Sequence, residues 1–335
     1  MEKSMRIFLV GDYKTGTGPA NVTKELLKNL PTDTLFLKTN SKVTRLLEIY
    51  WKTVVAKFLV FSGYSRQNIF GMKWARFLGK PAYYLMHGCV EHENVINGVP
   101  DKDMVRKERE MLKLAKGILA VSPSFSIWLK AHYPEYKEKI FTLTNGIDWS
   151  SMKEGQKRRK DGGEYRILSI GGGMPRKQIV KICQAIHLLI PLVPQKKICL
   201  TVLGGEGLDT KAIRSYPFVQ YLGVVNEKRV EEELENTNLF IQDSCFETFG
   251  LAPIEALLRG CDLLLSRQVG ALCILGQTRP EDVIEDDKNE KEIAEKIKIQ
   301  MEGGNHDRLL SNIDKESTSW KARAKELQDF LTGRG

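Results

Sequence analysis

Glu247-Thr248-Phe249-Gly250-Leu251-Ala252-Pro253-Ile254-Glu255-Ala256 decides the reading of this chain. The apolar run Leu239-Phe240-Ile241 precedes it and predicts a buried strand. Ala256-Leu257-Leu258 follows and predicts a helix that stops at Gly260. Glu247 then falls in a strand-to-helix loop, and Glu255 in the first turns of the helix. In open α/β sheets such loops bind ligands, and a helix N-terminus turns unpaired N–H groups toward an anion. An ionised glutamate only accepts hydrogen bonds, so a pair of them suits a ligand rich in hydroxyls, a sugar or a ribose. Glutamate near a helix start also serves the helix dipole alone, so the spacing admits a purely structural reading too.

Outward from this stretch the chain alternates strand and helix. Short apolar runs at 6–10, 35–38, 58–61, 82–86, 119–121, 140–144, 166–170, 198–203, 219–222, 239–242 and 263–266 predict strands. Longer amphipathic segments such as 20–30, 105–115 and 179–190 predict helices between them. That rhythm predicts doubly wound parallel sheets, and 335 residues suffice for two domains. Lys157-Arg158-Arg159-Lys160 and Gly162-Gly163 mark a solvated linker, where the domain boundary is placed.

Net charge is +9, which favours acidic partners such as phosphorylated molecules or an anionic membrane surface. No basic stripe interleaved with aromatics marks a nucleic-acid binder. No run of eighteen apolar residues occurs, and the four-residue apolar run before Gly11 is too short for a signal peptide. Six cysteines without a C-x-x-C pair read as reduced thiols of a cytoplasmic protein. His87-x-Cys89-x-x-His92 is a weak candidate for zinc, because no second ligand pair supports it. Asp101-Lys102-Asp103 spells D-x-D, but it follows Pro100 and precedes a helix, so it reads as a cap.

Two glycine-rich turns each join a strand to a helix. The first holds Gly11, Gly16 and Gly18, where the backbone can approach a phosphate closely. The second, Gly171-Gly172-Gly173-Met174-Pro175-Arg176-Lys177, adds two cations suited to a diphosphate. His87 follows the strand at 82–86 and so faces the ligand side of a sheet. Segment 41–66 is basic and aromatic. It reads first as a helix packed on the sheet with a solvated cationic face, and second as a peripheral membrane contact.

The E-x7-E string with its F-G-L and E-A pieces resembles the signature of retaining glycosyltransferases of the GT-B fold, family 4 in particular. Asn145-Gly146-Ile147-Asp148, the Gly204–Gly207 turn and Trp320 at the start of a last helix are similar to that family as well. The family writes the second glycine turn as G-R-x4-K. Lys177 matches the lysine, and Gly172 stands where the arginine does. Asp262 stands where the family has proline.

The resemblance implies two doubly wound Rossmann-like domains facing a central cleft. An acceptor-side domain would cover 1–152, a linker 153–165 and a donor-binding domain 166–315, with a helix in 316–335 returning to the first domain. It implies metal-independent, cofactor-free transfer of a sugar from a nucleotide-diphosphate donor to an acceptor hydroxyl with retention, as in bacterial surface polysaccharide synthesis. His87, Lys177 and Glu247 would be catalytic. Gly16, Gly18, Arg176, Lys177, Glu247, Phe249, Gly250, Leu251 and Glu255 would bind the donor. The acceptor would be a glycan or a lipid-linked saccharide, and the protein would work in the cytoplasm, with 41–66 as a contact to the inner membrane face. Two other readings stay open: a sugar-nucleotide epimerase or phosphorylase of the same fold, and a non-catalytic partner of an active transferase.

Overall fold

The computed structural model describes residues 5–39, 41–152 and 163–333. The expected linker, with its basic run, lies almost wholly outside the described residues. Two compact units form. The first contains Met1–His92, Asp101–Ile147 and Lys315–Gly335; the second contains Glu93–Pro100 and Asp148–Asp314.

The sheet of the first unit has six parallel strands: β1 (Ile7–Val10), β2 (Leu35–Phe36), β3 (Phe58–Ser62), β4 (Ala82–Met86), β5 (Gly117–Ala120) and β6 (Ile140–Thr142). Their order is β2-β1-β3-β4-β5-β6. Every residue of β1, β3, β4 and β5 is buried, as continuous apolar runs in a sheet covered on both faces require. The second unit repeats the plan with β7 (Glu164–Ile170), β8 (Lys197–Leu203), β9 (Val219–Gly223), β10 (Leu239–Gln242), β11 (Asp262–Ser266) and β12 (Val283–Ile284). Its order is β12-β11-β10-β7-β8-β9, again all parallel. The strand order reverses between β1 and β3 in one unit and between β7 and β10 in the other. At such a switch the flanking loops diverge and leave a crevice outside the strands' carboxyl ends.

The last helix, Trp320–Thr332, belongs to the first unit. Trp320, Ala324, Leu327 and Leu331 form its buried face, and the Phe330 ring meets Tyr83 at 5.4 Å and Phe141 at 4.8 Å. A Cβ on Gly146 would lie 2.7 Å from the Trp320 Cα, so only glycine lets the two segments touch.

One expectation is reversed. The helix Lys42–Val55 packs inward through Ile49 and Thr53, but Glu48 and Lys52 lie half-buried on that side as well, and much of its apolar surface faces out. Lys52 donates to the Phe36 carbonyl at 2.6 Å and pairs with Glu48. Glu48 also accepts from the backbone N–H of Lys38 (3.0 Å) and of Thr39 (2.9 Å). Burial acts to raise the Glu48 pKa, but these bonds outweigh it and bring it down to about 2. Leu47 and Trp51 are each 64% exposed, with Val43, Leu46, Tyr50 and Val54 beside them. Amphipathic spacing defines two faces without saying which one packs, and here the backbone groups at 36–39 claim the charged one. Among the described residues no helix is long and apolar enough to cross a membrane.

Asp262 has a local cause. Its Oδ1 accepts the N–H of Asn305 (2.6 Å) and of His306 (2.9 Å), satisfying the start of the helix His306–Ser311. A proline there would leave both groups unpaired.

Candidate active site

β7 and β10 are neighbours at the switch of the second unit, so the loops that leave them share one crevice. The loop after β7 folds against the 204–207 turn. Gly172 has φ +58, and a Cβ there would lie 2.0 Å from the Gly205 carbonyl oxygen. Gly173 N donates to that same oxygen at 3.0 Å. No side chain fits at 172 unless residues 204–205 move, which is the physical reason that glycine occupies the position where arginine was anticipated.

The cations follow on the turn Pro175–Lys177. Lys177 Nζ donates to Glu247 Oε2 at 2.5 Å, with its stem lying over Gly171. Arg176 Nη1 donates to the same oxygen at 3.2 Å and to the Phe246 carbonyl at 2.7 Å. Its Nη2 lies 3.7 Å from Glu93, and its backbone N–H donates to Asn97. Gln242 Nε2 gives Glu247 Oε2 a third donor at 2.8 Å. Burial acts to raise the Glu247 pKa, but the Lys177 and Arg176 charges prevail and hold it below the ordinary carboxylate value. All three donors converge on Oε2, and among the described residues no hydrogen bond engages Oε1.

Gly250 starts the helix Leu251–Leu258 with φ +87, and a Cβ there would press to 3.2 Å on Glu247 Cγ. The 247–249 backbone is tied to the next loop: Gly270 N donates to the Glu247 carbonyl (3.0 Å) and Ala271 N to that of Phe249 (2.7 Å). Phe249 itself is buried in the core, so of the F-G-L piece only Gly250 and Leu251 keep partial exposure. Glu255 sits in the second turn. Burial raises its pKa, Arg259 partly offsets that, and among the described residues no hydrogen bond or ion pair engages its carboxylate. One carboxylate is therefore clamped by cations with an oxygen to spare, and the other is desolvated, with no hydrogen bond or ion pair to it among the described residues. Both arrangements suit ligand hydroxyls.

The remaining candidates lie in the first unit. Gly16 has φ +71 with open space where a side chain would stand, and Gly18 opens the helix Gly18–Asn29. His87 Nε2 is 2.8 Å from Ser62 Oγ, and burial lowers the ring's pKa to about 4, so it is neutral at pH 7. The zinc string comes apart: His87 meets Ser62, Cys89 lies 3.4 Å from the Tyr133 hydroxyl, and His92 packs on the Trp128 ring. Asp101 caps its helix through the N–H of Asp103 and Met104, both at 2.9 Å.

Residues 99–334 match the model of the family described as family 4 glycosyltransferases in conflict systems. The chain belongs to that family. Among solved structures this family 4 glycosyltransferase is similar to Anabaena HepE in complex with UDP and glucose, at 11% identity and a TM-score of 0.71, over 98% of this chain and 100% of that one. Sucrose-phosphate synthase from Thermosynechococcus elongatus matches at 14% identity and TM-score 0.69, over 98% of each chain. A UDP-forming trehalose-phosphate synthase from Burkholderia xenovorans matches at 11% and 0.66, also over 98% of each chain. At these identities the likeness is one of fold, and the fold is GT-B. No curated protein matches the sequence.

Sequence reasoning about this glycosyltransferase missed Gln242 and Ser62. Gln242 and Ser62 did leave a signal, a polar residue closing an otherwise apolar strand. Such a residue, once buried, needs a partner.

Proposed function

We propose that this family 4 glycosyltransferase moves a sugar from a nucleotide-diphosphate donor, UDP-sugars first, to an acceptor hydroxyl with retention and with no metal or other cofactor. The observation that carries the reading is the Lys177–Glu247 pair at the β7/β10 switch, together with a Glu255 carboxylate that no hydrogen bond or ion pair engages among the described residues. Lys177, with Arg176 behind it, would stabilise the departing diphosphate. Glu247 would accept from a sugar hydroxyl through Oε1, and Glu255 from the ribose. Gly16, Gly18, Gly250 and Leu251 would shape the surroundings, and His87 would contact the sugar. HepE, with UDP-glucose in one structure, supports the choice of base. The acceptor would be a glycan or lipid-linked saccharide. Whether it belongs to a surface polysaccharide or to a conflict system does not alter the chemistry.

Gly172 favours a second reading, a non-catalytic partner that keeps the fold, since no arginine fits at position 172. Thermal melting against UDP-, GDP-, ADP- and dTDP-sugars without metal separates the two. A true donor at 100 times its Kd should add about 2.7 kcal/mol of stability. The rise should disappear in Glu255→Ala. A well-folded protein that responds to no donor would leave the non-catalytic reading standing.

For location, we propose a cytoplasmic protein that rests on an anionic membrane face. The outward side chains of the helix Lys42–Val55 support this, together with Phe77 (78% exposed) and the exposed Lys57, Arg66, Lys73 and Arg76 nearby. Co-sedimentation with vesicles is expected to depend on anionic lipid and to fall at least tenfold in Leu47→Glu/Trp51→Glu. Equal binding by that variant would contradict the proposal.

A further inference from the structure

A chain of three hydrogen bonds links the first glycine-rich turn to His87, and counting its protons fixes its direction. Thr23 Oγ1 donates to the Pro19 carbonyl at 2.9 Å. A threonine hydroxyl carries one proton, so toward Ser62 Oγ, 2.8 Å away, Thr23 can only accept. Ser62 therefore directs its own proton at Thr23. Toward His87 Nε2, also at 2.8 Å, Ser62 can only accept in turn. The proton in that last bond must come from the imidazole.

We infer that the Pro19–Thr23–Ser62 relay holds His87 as its Nε2–H tautomer, with Nδ1 as the acceptor nitrogen, and that Thr23 and Ser62 are positioning residues for it. The relay is built into the fold. Thr23 and Ser62 are 1% and 8% exposed, and they meet at the β1/β3 switch. Gly11, at the end of β1, makes room for them: a Cβ there would lie 2.8 Å from Ser62 Cβ and 3.0 Å from Thr23 Oγ1. The serine–threonine contact is thus possible only because glycine follows the strand.

The consequence for chemistry rests on the transferase reading above. A neutral ring with its proton committed to Ser62 has no proton for a leaving group. Such a ring cannot act as a general acid.

Side-chain nitrogen NMR of the histidine-labelled full chain, without any sugar nucleotide, tests the tautomer. The His87 signals are identified by their loss in His87→Gln. The expected spectrum shows Nδ1 as the unprotonated, pyridine-type nitrogen and Nε2 as the protonated one. Thr23→Val frees the Ser62 proton to point at the ring, so the preference should weaken, and Thr23→Ser should restore it. Transfer by Thr23→Val should fall on the order of tenfold in kcat with KM for the donor little changed. An Nδ1–H ring in the unaltered protein overturns the inference, as does a Thr23→Val spectrum identical to it. If Thr23→Val does not fold, the spectrum of the unaltered protein decides alone. An Nε2–H ring in a protein that transfers no sugar would leave the tautomer in place and remove the transferase reading instead.

Discussion

Glu247→Ala is expected to abolish measurable transfer and to lower the unfolding free energy by about 3–5 kcal/mol. The side chains of Arg176, Lys177 and Glu247 are only 11%, 13% and 12% exposed, so water compensates little when one is removed. Without the carboxylate, Lys177 loses the hydrogen-bond partner it has among the described residues, and Arg176 keeps only the Phe246 carbonyl and the more distant Glu93. Two confined cations would then repel one another. Glu247→Gln keeps one acceptor oxygen and most of the shape, so its structural cost should be smaller while its activity stays low. The sign with pH follows from the depressed Glu247 pKa. The contribution is complete above the ordinary carboxylate value and is lost as pH falls through the lower folded value. Urea unfolding of the two variants at pH 7 and pH 3 reads both effects. Unfolding of Glu247→Ala indistinguishable from the unaltered protein would mean that the pair is solvated and contributes little.

Asp243→Asn is expected to do the opposite and stabilise the fold at neutral pH. Asp243 is fully buried at the end of β10, and neither carboxyl oxygen has a hydrogen-bond partner among the described residues. Burial pushes its pKa from 3.8 to about 9, with Asp287, Glu292 and Asp286 adding to the rise and Lys181 opposing it. The folded chain thus keeps a proton that the unfolded chain releases near pH 4. Stability falls as pH climbs from about 4 toward about 9, because across that window folding must take a proton up. Asparagine removes the requirement with nearly the same shape. The gain should be close to zero at pH 4 and roughly 2–4 kcal/mol at pH 7.5. Melting curves across that range check it, and a gain that does not change with pH would mean that Asp243 is ionised in the fold.

How much of this was legible in the sequence depended on whether the signal was local. β10, the loop after it and the helix that follows could be read because one apolar run, one glycine and two glutamates lie within eighteen residues. The lysine–glutamate pairing needed the strand order, since 70 positions separate Lys177 from Glu247. Strand ends drifted where apolar residues continue past the ladder, as at 35–38, of which only Leu35–Phe36 pairs. The two-residue β12 is too short to leave a pattern. The inverted helix Lys42–Val55 was misread for a different reason. Its Glu48 and Lys52 are satisfied by backbone groups at 36–39, and hydropathy cannot register a hydrogen bond. Gly172 and Asp262 looked like losses relative to the family. Both are fixed by segments at 204–205 and 305–306 that are distant in the sequence.

Release of nucleoside diphosphate from the sugar nucleotide that raises the melting temperature, with metal chelated, decides whether this chain is a transferase. Sustained release that grows on adding acceptor is expected, with a product of the donor's anomeric configuration and a loss of at least a hundredfold in both Glu247→Ala and Lys177→Ala. Binding of the donor without release under any acceptor, or release unaffected by both substitutions, would contradict it.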